Sequence, residues 1–476
     1  MQEHTFLWHD YETFGANTRR DRPAQFAAIR TDAELNEIGE PVMYYCQPAP
    51  DFLPEPEACL ITGITPQHCL ELGMPEYQFA QKINQLFSQP GTIGVGYNTI
   101  RFDDEITRFM LWRNLLDPYA REWQNHCGRW DILDMLRTTY ALRPDGIVWP
   151  RNDEGKVSFK LGQLCAANGI QHEAAHDALS DVRATIALAR LVRQKQPKLF
   201  DFCFSLHKKD AVAAEIGMPQ QRPFLHVSGM VPVENGCLCV AWPLAIHPTN
   251  KNEVLIWNLQ HDPRELLGLN AESMRARLFV KTADLPEGQG RLPIKSIHIN
   301  KSPIVIRNLN TLSPAKAQEW GINLDTVRQH ALYAQQLPDM SYLWQQLYQR
   351  DNQAAPDVDQ DLYHGFIGNN DRRSLQHLTT LSGEKLARTV TEFEDERLNE
   401  LLFRYRARNF PQTLTEPETQ RWTALCASRF FEGSGAALTV DAYFEQIDRL
   451  SEQATESEQE VLAALYDYAE QIVPVQ

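Results

Sequence analysis

The stretch FLWHDYETFG, residues 6–15, sets Asp10 and Glu12 two positions apart. In a β-strand, side chains at i and i+2 point to one face, so both carboxylates would crowd the same patch. Two such groups ionise together only beside something positive. A hard divalent cation such as Mg²⁺, which prefers oxygen donors, supplies that charge. The plainer alternative is an edge strand whose acidic face meets water. Two later segments also carry acid at element junctions. GYNTIRFDDE places Asp103 just after a strand and at the start of a helix, with Asp104 as its rival. HDALSDVRATIALARLV places His176 before a helix and Asp181 in the first turns of that helix. Taken singly, each of these aspartates reads as a helix cap or as an anion in the field of a helix N-terminus.

The elements that must position these groups follow from the pattern around them. TFLWHDYE, QFAAIRT and VMYYCQP predict three short strands joined by turn residues. LITGITPQH predicts a turn and a helix start, with Thr65 as cap and Pro66 first in the helix. A helix near 76–88, the strand TIGVGYN and a helix from Asp103 to Asn114 come next. Helices in WDILDMLRTTYAL and SFKLGQLCAANG follow, and then one from Asp177 to Gln194. Three consecutive strands and then alternating α and β predict an α/β domain, a mixed sheet flanked by helices. KQPKLFDF reads as a linker. Between about 222 and 310, PFLHVSG, CLCVAWPLA, EVLIWNL, RLFVK and PIKSIHINK are β-like runs that predict a small β-rich, barrel-like domain. From about 311 the pattern turns helical, DNQAAPDVDQD reads as a second linker, and the rest reads as a helical domain. The expected domains are 1–196, 197–350 and 353–476.

Composition narrows the class. The chain has 476 residues, 43% apolar and 23% charged, which is ordinary for a globular protein. No run approaches the ~18 apolar residues of a membrane span. MQEHTFLWHD lacks the basic and apolar regions of a secretory signal. The nine cysteines are scattered, and Cys237 with Cys239 is C-x-C. That argues against a disulfide framework or structural zinc and for a reducing cytoplasm. The net charge of −16 argues against a nucleic-acid coat protein but leaves a nuclease open, because an acidic metal site adds to the negative total. With no heptad or apolar surface stripe, a monomer is expected.

Together, D-x-E on a first strand, N-x-x-x-F-D at a later junction and H-x-x-x-x-D at a late helix start resemble the DEDDh family of 3′–5′ exonucleases, which have a ribonuclease-H-like fold. The resemblance implies that Asp10, Glu12, Asp103 and Asp181 hold two Mg²⁺ ions, with Mn²⁺ able to substitute. It also implies that His176 is the general base and that activity rises with pH through the histidine range. The wider layout, with RPAQFAAIRTD, LITGITP, HDYETFG and FRYRARNFP, is similar to the bacterial exodeoxyribonuclease I family. That family implies an exonuclease domain, an SH3-like β-barrel domain and a C-terminal α-helical domain clamped on single-stranded DNA. It further implies processive release of 5′-mononucleotides from a 3′ end, in DNA repair and recombination. An RNA exonuclease or proofreading-type nuclease on the same catalytic domain is the rival within the class. A non-catalytic single-strand-binding scaffold is the rival outside it.

Single strands need cations for phosphates and aromatic faces for bases. Besides Glu12 at the cut, Lys160 in SFKLGQL is a candidate for a nearby phosphate. Arg108, Tyr119, Trp123 and Arg137 lie on or between helices of the same region. PIKSIHINKSP offers Lys295, His298, Asn300 and Lys301, and Lys295 and Lys301 are spaced to share a strand face. The family places Asp359 and Tyr363 where the chain passes the DNA. Each of these is otherwise a solvated charge or a core aromatic. FRYRARNFP is equally a helix end packing on its neighbour. The family also docks the acidic, hydrophobic C-terminal tail of single-stranded-DNA-binding protein, for which Arg143 and Arg222 are candidates.

Overall fold

The computed structural model describes residues 4–172, 177–218, 220–349 and 355–474. The chain forms two compact units, each drawn from separated stretches. Met1–Gly128, His172–Arg183 and Ala354–Gln476 make the first, and Arg129–Gln171 with Ala184–Gln353 makes the second.

In the first unit, strands β1 (Thr5–Thr13), β2 (Pro23–Thr31), β3 (Val42–Tyr45) and β4 (Thr92–Gly96) lie in the order β3-β2-β1-β4. β1 runs antiparallel to β2 and parallel to β4, so the sheet is mixed as expected. The crossover from β3 back to β4 carries the helices Pro56–Thr62, Pro66–Leu72 and Glu76–Phe87. Thr65 Oγ1 accepts from His68 N at 3.2 Å, and Pro66 is the first helical residue, as the sequence predicts. One face of the sheet buries Leu7, Tyr11 and Phe26 against Phe79, Ile83, Phe87, Ile106 and Met110. The C-terminal helices complete two further cores. Phe14, Phe52 and Leu53 pack with Phe430, Tyr443 and Leu465. Phe109 and Trp112 pack with Leu375, Leu398, Leu401 and Tyr405.

An ionic network is buried beside these cores. Arg408 Nη2 donates to Asp51 Oδ2 at 2.8 Å, Arg429 Nη2 to Asp359 Oδ2 at 2.8 Å, and Arg404 Nη1 to Asp357 Oδ1 at 2.7 Å. Asp51 is 2% exposed and Asp359 3%. FRYRARNFP, at the end of the helix Arg397–Asn409, supplies two of these arginines to the packing of its neighbours.

In the second unit, strand β5 (Gly128–Asp131) leads into the helix Ile132–Leu142. Strands β6 (Phe224–Val227), β7 (Leu238–Ile246), β8 (Glu253–Asn258), β9 (Ile294–His298) and β10 (Ile304–Ile306) form an antiparallel sheet in the order β10-β6-β7-β8-β9. Trp242 and Trp257 face each other across β7 and β8. Two expectations change here. KQPKLFDF is not a linker but most of the helix Pro197–Ser205: Pro197 opens it, and Phe200 and Phe204 bury their rings against Trp130. RLFVK is not a strand but spans the end of the helix Ala271–Leu278, where Met274 and Leu278 anchor one buried face. The second linker falls partly outside the described residues, and its described part enters the ionic network through Asp357 and Asp359. No described helix is long and apolar enough to cross a membrane.

Candidate active site

Asp10 and Glu12 lie on β1, opposite Ala27 and Gln25 of β2, with a register irregularity just after Glu12. β4 pairs with β1 only over Thr5–Trp8, so the edge beyond Trp8 is open to another partner. Asp103, the first residue of the helix Asp103–Arg113, takes that place: its Oδ1 accepts from Tyr11 N at 3.0 Å. The turn into this helix comes close because Gly96 has no Cβ, which would lie 2.7 Å from the His9 carbonyl oxygen. Asp104 points elsewhere. It pairs with Arg121 Nη2 at 2.7 Å, and both side chains are 1% exposed. The structure therefore commits Asp103 to β1 and Asp104 to a buried arginine.

Asp181 lies in the helix Ala178–Lys195. Asp177 caps this helix, its Oδ2 accepting from Ser180 N at 3.0 Å. Gln25 ties the same helix start to the sheet, since its Oε1 accepts from Ala178 N at 3.2 Å while its Nε2 donates to Tyr45 OH at 2.9 Å. Ligand atoms of Asp10, Glu12 and Asp181 thereby come within 4.8 Å of one another. His172 Nε2 meets Asp181 Oδ1. His176 lies outside the described residues.

The electrostatics record the crowding. Burial, then Asp103 and Glu12, hold the Asp10 carboxyl well above its ordinary range. Burial and then Asp181 push Glu12 up to about 8. Carboxylates this close and this dry resist ionising together. An all-oxygen donor set with unrelieved negative charge fits a hard divalent cation.

The remaining candidates fall into separate groups. In the first unit, Arg108 is buried, bonded to Glu122 at 2.7 and 2.8 Å, and lies over the Tyr119 ring at 5.2 Å. Its Nη1 also reaches Tyr363 OH at 3.1 Å. Trp123 is 64% exposed. Asp359 is enclosed in the ionic network, where the neighbouring arginines hold its carboxyl well below the usual range. In the second unit, Arg137 and Lys160 face one cleft. Lys295 lies on β9 and its Nζ donates to Met230 O at 2.7 Å. The shared strand face expected for Lys295 and Lys301 does not form: β9 ends at His298, and Lys301 closes the following turn by donating its N–H to His298 O at 3.1 Å. Asn300 accepts from Arg129 Nη2 at 3.1 Å through its carbonyl, and His298 lies 3.8 Å from Glu253. Arg143 lines an open cavity of about 590 Å³ with Lys198 and Arg307, against Leu142, Leu199, Phe202 and Ile306; Arg222 is exposed and is not among its lining residues.

Sequence reasoning passed over Gln25, His172 and Asp177. The run QHEAAHD shows a second histidine nine positions before Asp181. Gln25 becomes visible only through strand register, because nothing local links it to Glu12.

A mixed sheet that brings carboxylates of a strand and a late helix to one point, with a helix-start aspartate tied to the same strand, makes a candidate divalent-metal site of the kind that serves phosphodiester hydrolysis. Comparison with known proteins agrees. The family model described as "Exonuclease" matches residues 7–189, "Exonuclease I SH3-like domain" matches 207–350, and "Exonuclease I C-terminal domain" matches 356–472. The chain belongs to the exodeoxyribonuclease I family. Exodeoxyribonuclease I of Escherichia coli K12 is 44% identical over 484 residues, covering 99% of each chain. The exonuclease I structure from Methylocaldum szegediense is similar with a TM-score of 0.94, at 48% identity and over 99% of this chain and 100% of that one. E. coli exonuclease I bound to a dA16 oligonucleotide gives a TM-score of 0.94 at 43% identity, over 99% and 100%. A zinc-bound E. coli ExoI–ssDNA complex gives 0.93 at 42% identity, over 98% and 99%. An ExoI/SSB-Ct complex gives 0.91 at 43% identity, over 99% and 100%.

Proposed function

We propose that this exonuclease degrades single-stranded DNA from the 3′ end, releases 5′-mononucleotides processively, and acts in the cytoplasm in DNA repair and recombination. The observation that carries this reading is the convergence of Asp10, Glu12 and Asp181 on one point, with Asp103 fixed to the same strand. These four carboxylates would hold two Mg²⁺ ions, and Mn²⁺ would substitute. When bound, such ions activate water and stabilise charge on the attacking and leaving oxygens. Asp10 and Glu12 present donors from one rigid strand, the Tyr11 amide fixes Asp103, and Gln25 anchors the helix that brings Asp181. His176 takes the proton from the attacking water as neutral imidazole. Lys160 and Arg137 meet phosphates, while Tyr119, Trp123 and Tyr363 offer rings to bases.

We take the domains as 1–196, 197–350 and 353–476, a reading supported by the family-model matches at 7–189, 207–350 and 356–472. The cavity around Arg143 suits an acidic tail with an apolar end, because Lys198 and Arg307 add charge while Leu142, Phe202 and Ile306 supply an apolar wall. It would take the tail of single-stranded-DNA-binding protein, as the ExoI/SSB-Ct complex supports for its own chain.

The test is a time course on single-stranded, duplex and RNA oligonucleotides labelled at the 5′ end, with Mg²⁺ or EDTA. Progressive shortening of single-stranded DNA alone is expected. Asp10→Ala should lower kcat/KM by about 10³-fold or more, since a metal ion supplies several kcal/mol of transition-state stabilisation. Activity should rise with pH through the histidine range. Equal loss of duplex or RNA would overturn the substrate assignment.

A further inference from the structure

The cleft that holds Arg137 and Lys160 is lined by a third cation, Arg151, which no part of the catalytic reading uses. The cleft encloses about 510 Å³, with the Phe159 ring among its walls. Arg137 shares its charge with Asp134, to which Nη1 pairs at 2.5 Å. Arg151 and Lys160 are different. Both are exposed, and no described carboxylate lies within ion-pair range of either. Asp153, at the turn of the Arg151 hairpin, is the carboxylate among the described lining residues.

Arg151 is also held in place. It pairs with Val157 in a short antiparallel bridge that closes a hairpin. Within the hairpin, Asn152 N donates to Lys156 O at 2.8 Å and Gly155 N to Asn152 O at 2.9 Å. Asn152 Oδ1 accepts from Glu154 N at 3.1 Å and Lys156 N at 2.9 Å. Gly155 has φ +75°, a conformation that suits a residue without Cβ. Val157 and Ser158 anchor the base of the hairpin in the interior. Arg151 Nη1 donates to Gly155 O at 2.6 Å, which fixes the guanidinium and leaves its remaining donors toward solvent. A cation ordered in advance gives up little entropy on meeting a ligand.

We infer that Arg151 is a further backbone-phosphate contact, presented by the 150–158 hairpin to the single strand that Lys160 also meets. The inference rests on the single-stranded-DNA reading above. Two cations without an ion pair in one cleft, with an aromatic wall beside them, match a chain of phosphates carrying bases. Such a contact gives sequence-independent affinity and a measurable salt slope.

The experiment is fluorescence anisotropy of a labelled oligothymidine with the full-length protein in EDTA, so that nothing is cut, over a series of salt concentrations. Arg151→Gln should weaken binding and make the plot of log K against log salt shallower by about 0.7, the contribution of one phosphate on a single strand. Arg151→Lys should keep most of the slope. Arg328→Gln, a change at an exposed arginine on another element, should leave the slope unchanged. A slope for Arg151→Gln equal to wild type, with a normal melting temperature, would overturn the inference while leaving the nuclease reading intact. A wild-type protein that does not bind the oligothymidine would overturn both.

Discussion

Glu12 is a carboxylate placed where it resists ionising. Burial and the nearby Asp181 push its carboxyl from the ordinary 4.5 up to about 8. The folded protein therefore holds this proton more tightly than the unfolded chain does. The resulting penalty is absent below about pH 4.5, grows as pH rises, and is complete above about 8. In EDTA, the melting temperature should fall between pH 5 and 8. Glu12→Gln should flatten that fall, and saturating Mg²⁺ should offset part of it. A wild-type profile that stays level in EDTA would contradict the crowding. Asp104 makes the opposite case, since removing its charge strands Arg121 in the interior over the Phe87 ring at 4.6 Å. Asp104→Asn should cost about 3–5 kcal/mol, measured as a lower urea midpoint. An unchanged midpoint would show that the pair carries little. At this scale the sequence was most readable, because strand alternation and helix-start chemistry are local. The choice between Asp103 and Asp104 also followed the motif, although the reason, Arg121 waiting for Asp104, lay seventeen residues away.

Elements are where long-range packing overrode local pattern. KQPKLFDF carries linker-like residues, yet Phe200 is buried against Trp130, with Phe204 one turn on packing edge-on beside it, and this packing outweighs a weak helical propensity. The spacing of Lys295 and Lys301 was right for a strand, but a turn ended the strand between them. The ionic partners of Asp359 could not be read from the sequence, because Arg404, Arg408 and Arg429 come from the helices Arg397–Asn409 and Glu416–Glu432 and Arg22 from just before β2. Those arginines hold the Asp51 and Asp359 carboxyls below their ordinary range. Depressed carboxylates stabilise the fold above the unfolded pKa near 4, and this stabilisation is lost as pH falls below it. At pH 6, Asp359→Asn should cost about 3–5 kcal/mol, because Arg404, Arg408 and Arg429 lose a shared partner. The gap between variant and wild type should narrow by pH 3, as read by chemical denaturation. A gap independent of pH would mean that charge is not what binds these helices.

Taken whole, the two clusters pull in opposite directions. The acidic site loses stability as pH rises and the arginine network loses it as pH falls, so the metal-free protein should be most stable at mildly acidic pH. Both clusters belong to the first unit, which is stitched from the beginning, a short middle stretch and the last quarter of the chain. A chain ending at residue 349 would expose Phe52, Leu53 and Trp112 and leave Asp51 without Arg408 and Arg429. It should elute as aggregate on size exclusion, and a soluble monomer of that length would contradict the shared core.

That discontinuity also sets a schedule for synthesis. Asp10, Glu12, Asp103 and Asp181 all leave the ribosome before the helices that enclose Phe52 and pair with Asp51 exist. About 290 residues separate Asp181 from Ile472, the last residue of the helix Glu456–Ile472 that packs on this core. At typical elongation rates that gap is roughly 15–60 s. A growing polypeptide therefore carries its acidic cluster on a scaffold that has not yet closed, and it completes that scaffold only once those helices have been made. Ribosome-bound chains stalled at residue 349 should be cut readily by a protease that spares the released protein, which would make the synthesis of these helices the step that closes the scaffold around the nuclease site.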